Sequence, residues 1–200
     1  MADRTDRTAC SAFELLATAY HEAGHAVGAI LGSPELVVES ASVVPGDDDL
    51  GRVTFENWSD LVIPDPGDED LADEGGEHER TYWKADVIAT YLGGLVEVYL
   101  RTGDFATPCT VGWGADRAQI IATGDLLDGD LAGSGPFARN AYGHAWMESM
   151  AGNAIALTER HDYFWLAVGL VAGALIRQKT LDGSEVVGLV RVARGRGSAG

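Results

Sequence analysis

The stretch "TAYHEAGHAVGAILG", residues 18–32, constrains this chain more than any other, because it sets His-Glu-x-x-His inside an unbroken helical pattern. Phe13, Leu16, Tyr20, Ala23, Val27 and Ile30 recur at helical spacing around it. Ser11-Ala12-Phe13-Glu14 reads as a capping box at the start, and Gly32 with Pro34 predicts an end near Leu31. His21 and His25 are four apart on that helix, so they project from one face and can share a metal ion. Glu22 follows the first His and is placed to take a proton from a water polarised by the ion, which is how zinc peptidases make a nucleophile at neutral pH.

An open zinc site takes three protein ligands, so a third must come from elsewhere in the chain. The other histidines are His78, in an acidic stretch, His144, four before Glu148, and His161, beside Glu159 and Asp162. Glu97 is a further candidate carboxylate. Asp116 stands at the start of a helical pattern, where an acid also complements the helix dipole. Spacing does not choose among these.

The rest of the chain frames the motif. Leu36 to Val44 and Gly51 to Phe55 are β-rich runs joined through Pro45-Gly46-Asp47-Asp48-Asp49, and they read as a hairpin or small sheet. Residues 65–79 hold eight acids and lie in a solvated acidic loop expected over 58–79. Helices are predicted over 80–100, 115–127, 136–157 and 159–179, with "TLDGSE" breaking the last. Gly93-Gly94 in the middle of the second weakens it, which points to another backbone packing close there. The expected fold is therefore mainly α, about five helices with a small β element after the HExxH helix. One domain is expected over 11–192, after an N-terminal tail of 1–10 and before a disordered basic tail of 193–200.

Composition narrows the partners. A formal charge of −17 argues against nucleic acid and anionic membrane surfaces. Two cysteines, Cys10 and Cys109, are too few for a disulfide framework or a Cys-based zinc site, and fit reduced thiols in a cytoplasmic protein. The opening residues are polar and charged, unlike a signal peptide. The longest apolar run, Tyr163 to Ile176, has 14 residues against the roughly 20 that span a bilayer.

Four segments, in order, resemble a known family. "AYHEAGHAV" resembles the metal helix of the zinc-peptidase domain of the FtsH family of membrane AAA proteases, and "VVPGDDDLGRVTF" resembles its strand pair, I-I-P-R-G-x-x-L-G-x-T. "LGGLVEVYL" is similar to its G-G-R-x-A-E-E-L helix, and "TVGWGADRAQIIAT" to T-T-G-A-x-N-D-L-x-x-A-T, whose Asp is the third zinc ligand. Near the end, "IRQKTLDGSEV" is similar to its E-T-L-D-G-E-E. The likeness covers Ala17 to Val186. The family's Arg after the strand-turn Pro is absent here, and Leu95 stands where G-G-R has its Arg. No Gly-x-x-x-x-Gly-Lys-Ser/Thr occurs in the sequence.

The resemblance implies that His21 and His25 bind Zn2+, that Asp116 completes the site, and that Glu22 is the general base. It implies a metallopeptidase of peptides or unfolded chains, which add as a strand to the edge of the small sheet, and the missing P-loop motif sets the expectation that it acts without ATP. It also raises self-association into a homo-oligomer, or a separate ATPase partner, as expectations. The alternative is a zinc-binding regulatory module that keeps this fold with little turnover.

Overall fold

The computed structural model of this chain describes residues 11–34, 36–46, 50–56, 76–104, 116, 119, 120, 123 and 141–197, with the backbone alone for 76–81 and 141–145. Helix α1 spans Ala12–Gly32. Its N-terminus is the reciprocal box expected from the sequence: the Glu14 N–H donates to Ser11 Oγ at 3.1 Å, and the Ser11 N–H donates to Glu14 Oε2 at 2.7 Å. Ser33 ends it, returning its N–H to the Ala29 carbonyl at 3.1 Å in extended backbone that suits the residue before a proline. The strands β1 (Val38–Ser42) and β2 (Arg52–Phe55) follow. Helix α2 is Gly76–Thr102, α3 is Ala141–Arg160 and α4 is Phe164–Gln178. A three-residue strand β3 (Thr180–Asp182) and helix α5 (Gly183–Gly197) complete the order. The architecture is mainly α with one small antiparallel sheet, as the sequence implies.

The sheet has the order β2-β1-β3. Ala41 faces Val53 on one side and Leu181 on the other, and a bulge between Val38 and Ser40 adjusts the β1–β2 register. The hairpin reading therefore gives two of three strands, and the third comes from the far end of the chain. "TLDGSE" does break a helix, but into a strand and then α5, which runs to Gly197 with Ala193 buried. The tail expected from 193 is thus helical as far as Gly197. The boundary expected between 157 and 159 falls instead at 161–163, where the Phe164 N–H bonds to the His161 carbonyl at 2.8 Å and turns the chain. The acidic loop expected over 58–79 lies outside the described residues up to 75, and from Gly76 the backbone is already α2. Of the helix expected over 115–127, Asp116, Gln119, Ile120 and Thr123 are described, and all four are helical.

One apolar core holds the assembly together. Ala19, Ala23, Ala26 and Val27 of α1 pack with Leu92, Leu95 and Val96 of α2, with Phe164, Val168, Val171 and Leu175 of α4, and with Leu181 of β3. A smaller cluster of Val87, Ile120, Trp146 and Met150 ties the helical stretch that carries Asp116 to α2 and α3. Small residues let α1 and α2 cross closely. A β-carbon on Gly24 would lie 2.7 Å from the Leu92 carbonyl oxygen and 2.9 Å from Gly93 Cα, so the two backbones meet at the Leu92-Gly93 step.

Candidate metal centre

The crossing of α1 and α2 is where the histidines sit. His21, Glu22 and His25 are all buried, at 8%, 5% and 8% exposure, although their helix is otherwise lined by alanines and glycines on this face. Polar groups so deep need partners. His25 Nδ1 lies 3.0 Å from the Ala89 carbonyl of α2. A carbonyl only accepts, so Nδ1 carries the hydrogen and Nε2 of a neutral ring keeps its lone pair. His21 Nδ1 lies 3.0 Å from Glu97 Oε2, which fixes its ring in the same way.

Both Nε2 atoms then point at one place. They stand 2.9 Å apart, and Asp116 Oδ2 is 2.9 Å from His21 Nε2 and 3.6 Å from His25 Nε2. These separations bracket the roughly 3.3 Å between two ligand atoms bonded at about 2.0–2.1 Å to a tetrahedral ion. Two lone pairs and a carboxylate oxygen facing one another repel unless a cation lies between them. Asp116 Oδ2 is buried and has no donor aligned on it. The group His21, His25 and Asp116 can hold a metal ion. In the absence of one, a proton is the substitute. Burial pushes the His21 imidazole down, but the Asp116 and Glu97 carboxylates outweigh it and drive its pKa up to about 10. Burial raises Asp116, and the two histidines more than reverse this, holding its carboxyl well below the usual range.

Among the described residues, the structure brings His21, His25 and Asp116 together. Asp116 joins the histidines, whereas Glu97 bonds the outer nitrogen of His21 and stands behind the metal-facing atoms. His161 lies at the α3–α4 turn with its ring against Tyr163. The side chains of His78 and His144 fall outside those described. Glu22 is packed from the sheet side: a β-carbon on Gly51, the residue leading into β2, would lie 2.7 Å from Glu22 Oε1 and 2.8 Å from Thr18 Cγ2. A glycine at that point leaves room for the carboxylate.

Two further groups escaped the sequence reading. Arg101 donates through Nε to Glu97 Oε1 at 2.8 Å and approaches the same oxygen through Nη2 at 2.7 Å. The Glu97–Arg101 spacing of four on a helix is the signal that announces such a pair. Asp86 is fully buried on α2, accepting from Gln119 Nε2 at 3.3 Å through Oδ2, while its Oδ1 has no partner among the described residues. Burial raises its pKa to about 6, against lowering by Gln119 and His25. No pattern in the sequence marks an acid inside a helix as buried. No helix among the described residues is long and apolar enough to cross a membrane. No protein-family model matches this sequence, and no curated protein matches it.

Proposed function

We propose that this chain is a zinc metalloendopeptidase that cleaves peptides or unstructured chains without a nucleotide. The observation that carries the reading is the convergence of His21 Nε2, His25 Nε2 and Asp116 Oδ2, with Glu22 on the same helical turn as the first ligand. Two neutral imidazoles and one carboxylate suit zinc and leave a coordination position open. The resemblance of the four ordered segments to the FtsH peptidase domain points the same way.

His21, His25 and Asp116 would hold the ion, which as zinc would supply a Lewis acid able to polarise a carbonyl and lower the pKa of water. Glu22 accepts the proton of the attacking water and delivers it to the amine nitrogen as the C–N bond breaks. Gly51 leaves room for that carboxylate, since a β-carbon there would lie 2.7 Å from its Oε1. An extended substrate adds to the edge of β2, whose strand partner among the described residues is β1 alone. Main-chain hydrogen bonds along such an edge accept many side chains, which fits unfolded substrates.

The test compares wild type with Glu22→Gln on an unfolded protein and a flexible peptide library, without ATP. Wild type should cleave and a chelator should stop it. Glu22→Gln should keep its metal and lose about 10²–10⁴-fold in rate. If both proteins are equally inert with zinc bound, the peptidase reading falls and a metal-binding module remains.

A further inference from the structure

The hydrogen bond from His21 to Glu97 is the inner end of a longer chain of contacts. Glu97 is 5% exposed, and both its oxygens are engaged, Oε2 by His21 Nδ1 at 3.0 Å and Oε1 by the guanidinium of Arg101 at 2.7–2.8 Å. Arg101 is in turn placed by Phe13, whose ring lies 5.1 Å below the guanidinium carbon. Phe13 belongs to the first turn of α1, and His21 to the same helix two turns on. The chain of contacts thus leaves α1 at Phe13, crosses to α2 through Arg101 and Glu97, and returns to α1 at the imidazole.

Each link restricts the next. A carboxylate held at one oxygen alone can turn about its last torsion and offer its partner either oxygen, or none. With Oε1 taken by two guanidinium nitrogens, only Oε2 is left for His21, and its direction is set. That bond puts the ring hydrogen on Nδ1 and leaves the Nε2 lone pair facing His25 and Asp116. Arginine suits this task because its donors are fixed in a plane and its charge persists at every working pH. A guanidinium also balances the charge of a second buried carboxylate near the ion, so Glu97 orients the ring without competing for the metal.

We propose that Arg101 is a positioning residue of the metal centre, acting through Glu97 to fix the tautomer and orientation of His21. The proposal rests on the reading of His21, His25 and Asp116 as metal ligands. It assigns a role to a residue that touches none of them.

The test measures metal affinity, by chelator competition with zinc, and the visible absorption bands of the cobalt-loaded protein. Arg101→Met keeps an apolar stem of similar length and removes the donors. It should weaken zinc binding about 10–100-fold, as the loss of a ligand's outer partner does elsewhere, and alter the cobalt bands. Arg101→Lys, with one point charge in place of the planar fork, should recover part of both. Should Arg101→Met fail to fold, Arg101→Lys carries the comparison and must lie below wild type. Wild-type affinity and an unchanged cobalt spectrum in either folded variant overturn the proposal. A wild-type protein that binds no metal overturns the metal-centre reading itself, and is told apart because it fails before any variant is compared.

Discussion

The imidazole of His25 occupies the space into which a β-carbon on Gly93 would project. This one relationship couples the packing of two helices to the direction in which His25 Nε2 faces His21 and Asp116. His25 reaches the Ala89 carbonyl of α2 only because the next turn of that helix has no side chain in the way. Gly93→Ala must therefore push the ring off its hydrogen bond or drive the helices apart. Overpacking of this kind costs about 1–3 kcal/mol. The expected outcome is a folded but less stable protein with much weaker metal binding, read by thermal melting and by elemental analysis after dialysis.

Asp116 and Glu97 should separate cleanly by metal affinity. Asp116→Ala removes an atom that faces both histidines and should abolish stoichiometric metal at micromolar protein. Glu97→Ala removes the partner of His21 Nδ1 and of Arg101 but no ligand, and metal content should stay near normal while affinity falls about 10–100-fold. Titration against a chelator of known affinity distinguishes the two, and a reversed order would move the site onto α2.

Removing the metal should make stability pH-dependent in a definite direction. In the metal-free protein the His21 pKa rises from 6.5 to about 10, burial being outweighed by Asp116 and Glu97. A group whose pKa is raised by folding stabilises the fold fully below its unfolded value, and that contribution is lost as pH climbs through the folded one. The melting temperature in chelator should then fall between about pH 6.5 and about pH 10. Adding zinc, which replaces the proton, should flatten the decline over the same window.

Asp86 should be a net burden above its own transition. Its pKa is raised by burial from 3.8 to about 6, so the protonated form is favoured in the fold, and stability falls as pH rises through that window. Asp86→Asn keeps an acceptor for Gln119 and cannot ionise. In chelator it should melt a few degrees above wild type at pH 7–8, a gain of about 1–2 kcal/mol. Near pH 4 the difference should vanish. Equal melting at both pH values would show that the buried acid is not ionised at neutrality.

What the sequence determined by itself is local. The capping box of Ser11 and Glu14, the shared face of His21 and His25, and the close approach at Gly93 all follow from spacings within a few residues, where helix geometry leaves one arrangement. The meeting of Asp116 with the histidines came to the sequence reading only through a resemblance, since nothing in a spacing of 91 positions from His25 is geometric. Tertiary structure alone decided the rest. Strand β3 exists because α4 ends at Lys179, whose left-handed φ of 73° turns the chain so that Thr180–Asp182 lie along β1. Three residues carry no period of their own, so only that partner makes them a strand. Glu97 likewise stands in the sequence only as one candidate carboxylate among several, and the crossing of α1 and α2 sets it against the outer nitrogen of His21. Which atom of a ring a carboxylate meets depends on the placement of two helices in space, and no periodicity within either helix encodes it.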